Sequence, residues 1–147
     1  MRVDVSTELD CPADKAWEAV RTSALFLHVA WPVATIADAA ELPPAWTQGE
    51  TVRCRPLVFG FIPVGIRTLH FERIDDTRRE IETREEDALV RLWHHQISIA
   101  PRPGNRARYR DEIDIDAGLL TPVVWAWANV FYRHRQRRWR ALAKTLR

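Results

Sequence analysis

Hydrophobic and polar residues alternate in three stretches of the chain, at residues 3–9, 91–100 and 106–117. A two-residue period of this kind is typical of a strand with one buried face. Weaker strand patterns occupy residues 33–41, 50–59, 64–74 and 78–85. Short segments containing glycine, proline or aspartate separate the later strands, and "PRPGN" between the last two is the clearest turn. The pattern therefore predicts an antiparallel meander.

Other segments show helical spacing instead. After the first strand, "CPADKAWEAV" combines the helix-start residues Pro12 and Asp14 with an apolar stripe that includes Trp17. A short second helical turn is predicted from Ser23 to His28, and one long helix over residues 119–147. The inward stripe of the long helix is predicted to consist of Leu120, Val124, Trp127, Phe131, Arg138 and Leu142.

The predicted order is one strand, a helix, five or six strands and a long helix. A twisted antiparallel sheet has one apolar face to cover, and the long helix is the one element large enough to cover it. A chain of 147 residues falls in the size range of one domain, so we expect residues 1–147 to form a single α+β domain. A curved sheet around a helix leaves an internal space, where we expect a ligand pocket.

The chain resembles the START-like superfamily, also called SRPBCC or helix-grip, over nearly its whole length. The resemblance rests on "PADKAWEAV", "WHHQI", "YRDEIDIDAGLLTP" and "FYRHRQRRWRAL", in this order. It implies a curved antiparallel sheet wrapped around a long C-terminal helix, with one or two short helices after the first strand. Members of the superfamily, which includes polyketide cyclases and lipid-transfer domains, bind diverse hydrophobic ligands, and a minority are enzymes. Because catalytic residues differ between its branches, the resemblance implies no catalytic set for this chain.

Two polar residues, His95 and Asp111, fall on the predicted inward faces of the last two strands. If the turn places Ala100 opposite Arg106, His95 lies opposite Asp111, with Cβ atoms about 4.5 to 5.5 Å apart. A register slip of two residues would make this a diagonal contact. The pair would lock the sheet, hydrogen-bond a ligand, or orient the imidazole as a general base. No serine or cysteine nucleophile is recognisable beside it.

A second polar pair is predicted between Arg67 and Glu85, on the face that also carries Phe71 and Thr83. An arginine in the cavity would receive a ligand carboxylate, and the alternative is an ordinary salt bridge at the rim. Tyr109 would offer its hydroxyl either to a ligand or to the backbone.

Seven tryptophans are many for a chain of this length. The aromatic residues expected on elements that border the cavity are Trp93, Trp125, Trp127, Phe59 and Phe71. An aromatic-lined pocket would favour flat or polycyclic ligands, and the alternative is that these rings fill the core.

The last helix is strongly basic and has no acidic residue after Asp116. Its cations are Arg133, Arg135, Arg137, Arg138, Arg140, Lys144 and Arg147. Cations at a helix C-terminus are favoured by the helix dipole, so a solvated helix end accounts for them. Docking of residues 133–147 on RNA or an anionic membrane surface is the less favoured interpretation. The net charge of +2 gives no reason to expect a DNA partner.

Several other classes of site find little support. Cys11 and Cys54 lack metal-binding or CxxC spacing, and two thiols in a chain of this size indicate a reducing compartment. The N-terminus lacks the apolar segment of a secretory signal, and the longest apolar stretch is too short to span a bilayer, so we expect a cytoplasmic protein. His94 and His95 point to opposite faces of a strand and the glycines form no nucleotide-binding motif, so we expect neither a metal nor a cofactor.

These patterns together favour a non-catalytic carrier or sensor that binds a small hydrophobic or aromatic ligand between the sheet and the long helix. One alternative is a polyketide cyclase or aromatase-like enzyme in which His95 is the base, Asp111 orients it, and Arg67 or Tyr109 polarises a carbonyl. Another is a module that docks on RNA or protein through the basic helix. The predicted ligand-binding residues are Phe59, Arg67, Phe71, Thr83, Trp93, His95, Tyr109, Asp111, Val124, Trp127 and Phe131.

Overall fold

Nine strands and three α-helices make up the fold, and the computed structural model describes them for all of residues 1–147. The strands are β1 (Arg2–Leu9), β2 (Ala34–Ile36), β3 (Thr51–Cys54), β4 (Pro56–Val58), β5 (Ile62–Pro63), β6 (Arg67–Asp75), β7 (Glu80–Glu86), β8 (Leu92–Arg102) and β9 (Arg106–Asp116). The helices are α1 (Ala13–Val20), α2 (Ser23–Ala30) and α3 (Thr121–Ala143). Short 3-10 turns occupy Ala39–Glu41, Gly118–Leu120 and Lys144–Leu146.

Six strands form one curved antiparallel sheet, in the order β1-β9-β8-β7-β6-β3. Side chains along β8 and β9 alternate between buried and exposed, as the two-residue pattern predicts. The long helix α3 packs across the buried face of the sheet, mainly against β1, while α1 contacts β8 and β9 and α2 packs on α3. This confirms the predicted α+β class and its helix-grip arrangement.

Residues 50–59 form two strands in different sheets rather than the one strand that the pattern predicts. β3 pairs with β6 in the main sheet, whereas β4 forms a separate three-stranded sheet with β2 and β5. Pro56, at the start of β4, has no N–H and cannot donate to a continuing ladder. Arg55 turns the chain instead: its N–H donates to the Asp38 carboxylate, and its carbonyl accepts from the N–H of Ala37.

The inward stripe of α3 differs from the predicted one by about one residue. The side chains that it buries are Val124, Ala128, Tyr132, Arg135, Gln136, Trp139 and Ala143. Arg138, predicted to face inward, instead donates from Nε to the carbonyl of His28 at 2.7 Å. Polar residues take inward positions because the sheet beneath α3 offers polar partners, which an apolar spacing rule does not anticipate.

The core consists of two hydrophobic clusters. The larger lies under α1, α2 and the C-terminal end of α3, and it includes Leu9, Phe71, Ile97 and Trp139. The smaller lies under the N-terminal half of α3. A bilayer-spanning length of apolar helix occurs nowhere in the structure.

Candidate functional site

A layer of buried polar side chains separates the two hydrophobic clusters. On β8, His95 lies between Trp93 of the smaller cluster and Ile97 of the larger one. On β9, Asp111 likewise lies between residues of the two clusters. The other members of this polar layer are Arg67, Thr83, Glu85, Asp87, Tyr109, Arg135 and Gln136. Buried polar groups are costly unless they are paired, so the layer is a candidate site.

The predicted contact between His95 and Asp111 forms, although through a different register. β8 continues to Arg102, so His95 lies opposite Ile113 and the assumed pairing is wrong by two residues. The two side chains meet diagonally instead, with Nε2 of His95 2.7 Å from Oδ1 of Asp111. Side chains this long reach across the diagonal of an antiparallel pair.

The Asp111 carboxylate is completely buried and fully partnered. The hydroxyl of Tyr109 donates to Oδ1 at 3.0 Å, and Nε2 of Gln136 on α3 donates to Oδ2 at 3.1 Å. Burial by itself raises the pKa of this carboxyl, but the hydrogen bond and charge of His95 outweigh it, so the net pKa is lowered. Asp111 is therefore an anion that links β9 to both β8 and α3.

The predicted pair of Arg67 and Glu85 also forms, although two residues off its assumed register. β6 continues to Asp75, which pairs with Glu80, and Leu69, not Arg67, lies opposite Glu85. Nε of Arg67 still lies 3.0 Å from Oε1 of Glu85, and its NH1 lies 2.7 Å from Oδ2 of Asp87. The Arg67 and Glu85 side chains are only 17% and 8% exposed, so this is a cavity ion pair rather than a rim salt bridge.

His95 lies between two carboxylates. Its Nε2 contacts Asp111, and its Nδ1 lies 3.7 Å from Oε2 of Glu85, which also accepts a 2.9 Å hydrogen bond from Thr83. Burial alone lowers the pKa of His95, but the bond to Asp111 and the Glu85 charge outweigh it and raise the pKa. The two carboxylates therefore favour the charged form of the imidazole, and both ring nitrogens are directed at them.

The charge on His95 makes the stability of the fold depend on pH. Because its pKa is higher in the folded chain than the value of about 6.5 in an unfolded chain, its contribution is complete below about pH 6.5. The contribution is lost as the pH rises through the folded value, by at most about 1.4 kcal/mol per pH unit. We expect urea unfolding between pH 6 and 9 to show this loss in the wild type and not in His95→Gln. Parallel curves for the two proteins would contradict the assignment.

A cavity of about 190 Å³ lies beside the polar layer, enclosed by α2, α3, the small sheet and one edge of the main sheet. Fourteen of its nineteen lining residues are hydrophobic. Val64 and Leu89 line it and are about half exposed, so they mark its mouth. A second cavity of about 50 Å³, with room for a few water molecules, lies on the other side of Arg135 and Glu85.

The structure distributes the predicted ligand-binding residues unevenly. Those that line the larger cavity are Arg67, Trp93, Val124, Trp127 and Phe131. Those that line the smaller one are Phe71, Thr83 and His95. Phe59, Tyr109 and Asp111 line neither cavity.

Phe59 and Tyr109 have a physical reason to lie elsewhere, and the Asp111 carboxylate is taken up by His95, Tyr109 and Gln136. Phe59 is exposed and contacts Trp127 edge-on, with ring centroids 6.4 Å apart. The hydroxyl of Tyr109 is used by Asp111, beneath the ring of Trp139. Trp125, also expected at the cavity, points outward and donates from Nε1 to the carbonyl of Arg2 at 2.8 Å.

Two important cavity residues were not recognised in the sequence. The sequence pattern predicts Arg135 at the solvated helix end, but it is buried and lines both cavities. The pattern predicts Phe131 at the cavity and not its neighbour Tyr132, which is buried and lines the larger cavity. The spacing of three to four residues from Val124 through Ala128 to Tyr132 and Arg135 was the signal available, and the charge of Arg135 concealed it.

One group of side chains on the outer face of the sheet has the composition of a metal site. Ligand atoms of Glu72, Glu82 and His94 lie within 4.8 Å of one another. Each carboxylate already has an arginine partner, Arg84 at 3.0 Å from Glu72 and Arg73 at 3.2 Å from Glu82. The geometry is that of a salt-bridged sheet surface.

The fold is similar to several solved structures at low sequence identity. A START superfamily protein from Mycobacterium smegmatis is 15% identical, with 99% of each chain covered and a TM-score of 0.69. An aromatase/cyclase, ZhuI from Streptomyces sp. R1128, is 18% identical, with 98% of this chain and 93% of that chain covered and a TM-score of 0.69. A protein from Chromobacterium violaceum is 13% identical, with 97% and 96% covered and a TM-score of 0.76. These similarities establish a START-like fold.

Comparison of the sequence with family models also assigns the chain to a family. No curated protein sequence matches the chain. A family model described as a domain of unknown function, DUF8410, matches residues 7–143, and the chain belongs to that family.

Proposed function

We propose that the chain is a carrier or sensor that binds a small hydrophobic or aromatic ligand in the cavity between the sheet and α3. The observation that supports this most directly is the cavity of about 190 Å³ with its mostly hydrophobic lining. Concave, largely apolar spaces with a few placed polar groups are the usual form of small-molecule sites. The START-like fold of the chain is compatible with such a role.

The size and lining of the cavity narrow the class of ligand. An apolar cavity of roughly 150 Å³ is known to hold one benzene ring, so about 190 Å³ suits one or two rings or a short aliphatic chain. Trp127 and Phe131 stack within it, with ring centroids 5.6 Å apart and planes at 9°. Flat aromatic faces favour a flat ligand.

The geometry gives less support to a cyclase-like enzyme. Both ring nitrogens of His95 are directed at carboxylates, and Tyr109 is covered by Trp139. Arg67 is held by Glu85 and Asp87. The likeness to an aromatase/cyclase is a likeness of fold, and the polar atoms of His95 and Tyr109 are directed at carboxylates rather than at a ligand.

The geometry also gives little support to docking through the basic helix. Arg138 and Arg140 bond to the carbonyl of His28 and the hydroxyl of Thr7, and Arg147 pairs with Asp10. Arg135 is buried. Four of the seven basic side chains are therefore buried or engaged within the fold, while Arg133, Arg137 and Lys144 remain exposed.

Native mass spectrometry of freshly purified protein tests the proposal first. We expect a co-purified small molecule, or a mass increase after incubation with small aromatic compounds. The unfolding midpoint would rise with the same compounds, because a ligand that binds only the folded state stabilises it. A protein that neither carries nor takes up any such molecule would contradict the proposed function.

Two adjacent valines of α3 provide a matched pair of variants. Val124 lines the cavity, whereas Val123 is 67% exposed. Val124→Phe places a ring inside the cavity, and we expect it to weaken ligand binding at least tenfold in titration calorimetry. Val123→Phe adds the same ring outside and is expected to leave binding within about twofold of the wild type. Equal effects of the two substitutions would show that the ligand binds elsewhere.

A further inference from the structure

Arg135 is a buried cation without a hydrogen-bond or carboxylate partner. Its residue surface is only 8% exposed, and its Nε is buried with no hydrogen bond. None of its other N–H groups donates a hydrogen bond within the protein, and no carboxylate oxygen lies within 4.0 Å of it. A buried charge left uncompensated is costly, so an arginine in this state calls for an explanation.

The carboxylates of the polar layer are paired with other cations and offer Arg135 no partner. Glu85 and Asp87 share Arg67, at 3.0 and 2.7 Å, and Asp111 is held by His95 at 2.7 Å. Each of the three carboxylates therefore pairs with a cation that lies closer to it than Arg135 does. What remains near the guanidinium is aromatic: its Cζ lies 5.1 Å from the ring centroid of Tyr132 and between 5.8 and 5.9 Å from those of Phe131 and Phe26.

The position of Arg135 is the second observation that points to a ligand. It is on the wall between the two cavities and lines both of them. The hydroxyl of Tyr132, which lines the larger cavity beside it, also makes no hydrogen bond within the protein. Beside the ion pair of Arg67 with Glu85 and Asp87, the cavity thus presents a fork of N–H donors and a hydroxyl that make no hydrogen bond within the protein.

We infer that Arg135 binds the carboxylate of the cavity's ligand, so that the ligand is a small hydrophobic or aromatic acid. The inference rests on the proposed function and deepens it. A planar guanidinium matches a carboxylate with two parallel N–H···O bonds, which a lysine cannot reproduce. The hydroxyl of Tyr132 supplies a further donor, and the ring or chain of the acid lies against Trp127 and Phe131 toward the mouth.

Calorimetry with acids and their matching neutral amides tests this assignment. The probes are benzoate, 2-naphthoate, octanoate and decanoate, each compared with its own primary amide, at neutral pH. We expect the wild type to bind at least one acid ten times or more tightly than its amide, because hydrogen bonds to a charged acceptor are the stronger ones. In Arg135→Gln we expect the acid to bind no more than about threefold more tightly than its amide. The affinity of this variant for the amide is expected to stay within about threefold of the wild-type value.

Two further variants separate the role of Arg135 from general effects of charge. Arg137→Gln removes an exposed cation two residues away and is expected to leave the preference for acids unchanged. Arg135→Lys keeps the charge without the fork and is expected to retain an intermediate preference. Thermal unfolding of each variant without ligand checks that it is folded, and the wild-type comparison of acid with amide needs no variant at all.

The outcomes distinguish the two proposals. Acids and amides that bind the wild type equally well would overturn the role of Arg135 and leave the proposed function standing. A variant Arg135→Gln that still binds acids much more tightly than amides would also overturn the role of Arg135 and leave the proposed function standing. A wild type that binds none of the acids and none of the amides would contradict the proposed function itself.

Discussion

Replacing Asp111 with alanine is expected to lower the free energy of unfolding by about 3–5 kcal/mol. The carboxylate is completely buried and accepts bonds from Tyr109 and Gln136 besides its contact with His95. Its removal leaves the buried imidazole without its nearest counter-charge and two donors without an acceptor. Removing one partner of a buried ion pair is the costly case, since the desolvation of the other partner is no longer offset.

Urea denaturation at neutral pH, with Asp4→Ala as the control, measures this effect. Asp4 also pairs with an arginine, Arg110, at 2.6 Å, but both side chains are 42% exposed. Exposed pairs contribute little, so we expect the control to change the free energy by about 1 kcal/mol or less. A loss from Asp111→Ala no larger than that of the control would mean that water or relaxation satisfies the layer once the carboxylate is gone.

Replacing Arg67 with methionine is expected to lower the free energy of unfolding by about 3 kcal/mol. The change removes the one cation that bonds Glu85 and Asp87. The value lies at the lower end of the range for buried pairs, because His95 lies 3.7 Å from Glu85 and offsets part of its charge. Arg67 also contacts the ring of Trp93, with its Cζ 4.5 Å from the ring centroid. The methionine side chain replaces part of this contact, because its sulfur also packs favourably on aromatic rings.

Arg84→Met is a closely matched control for this substitution. Its Nε lies 3.0 Å from Oε1 of Glu72, the same atoms and distance as in the Arg67 and Glu85 pair, but the side chains are 62% and 31% exposed. We expect a loss of less than about 1 kcal/mol from it. Combining Arg67→Met with Glu85→Leu should recover part of the single loss, because the Glu85 charge is then removed with its partner, while Asp87 still lacks its cation. A double variant as unstable as the sum of its parts would refute this account.

The fold was predictable from the sequence because its signals are local and repeated. The alternation along residues 91–100 and 106–117 places His95 and Asp111 inward, whatever the pairing of the strands. The exact register was not predictable, since the first two residues of "PRPGN" can belong either to the turn or to the strand before it. In the structure both belong to β8, which continues to Arg102. The predicted contact survived because side chains of this length also reach diagonally.

The candidate site was only partly predictable, and the missing part lies on α3. A helix stripe is recognised by its apolar residues, so the inward positions taken by Arg135 and Gln136 were concealed by their polarity. Both face inward because of what the sheet holds: Gln136 bonds Asp111, and Arg135 closes the end of the cavity. That reason is tertiary, and no window of the helix sequence contains it. The separate small sheet of β2, β4 and β5 forms part of the cavity wall. It was not predictable for the same reason, because it too depends on contacts between separate segments of the chain.

Cys54, at the end of β3, gives the chain a built-in chemical reporter. It lines the larger cavity, is only 1% exposed, and its burial raises the pKa of the thiol to about 11. The raised pKa disfavours the thiolate at pH 7, and only the thiolate reacts with alkylating reagents. A reagent therefore labels Cys54 only when the cavity admits a molecule, while Cys11 is buried away from both cavities. The ratio of the two labelling rates measures how accessible the empty cavity is to a small molecule, on the unmodified protein and without a known ligand.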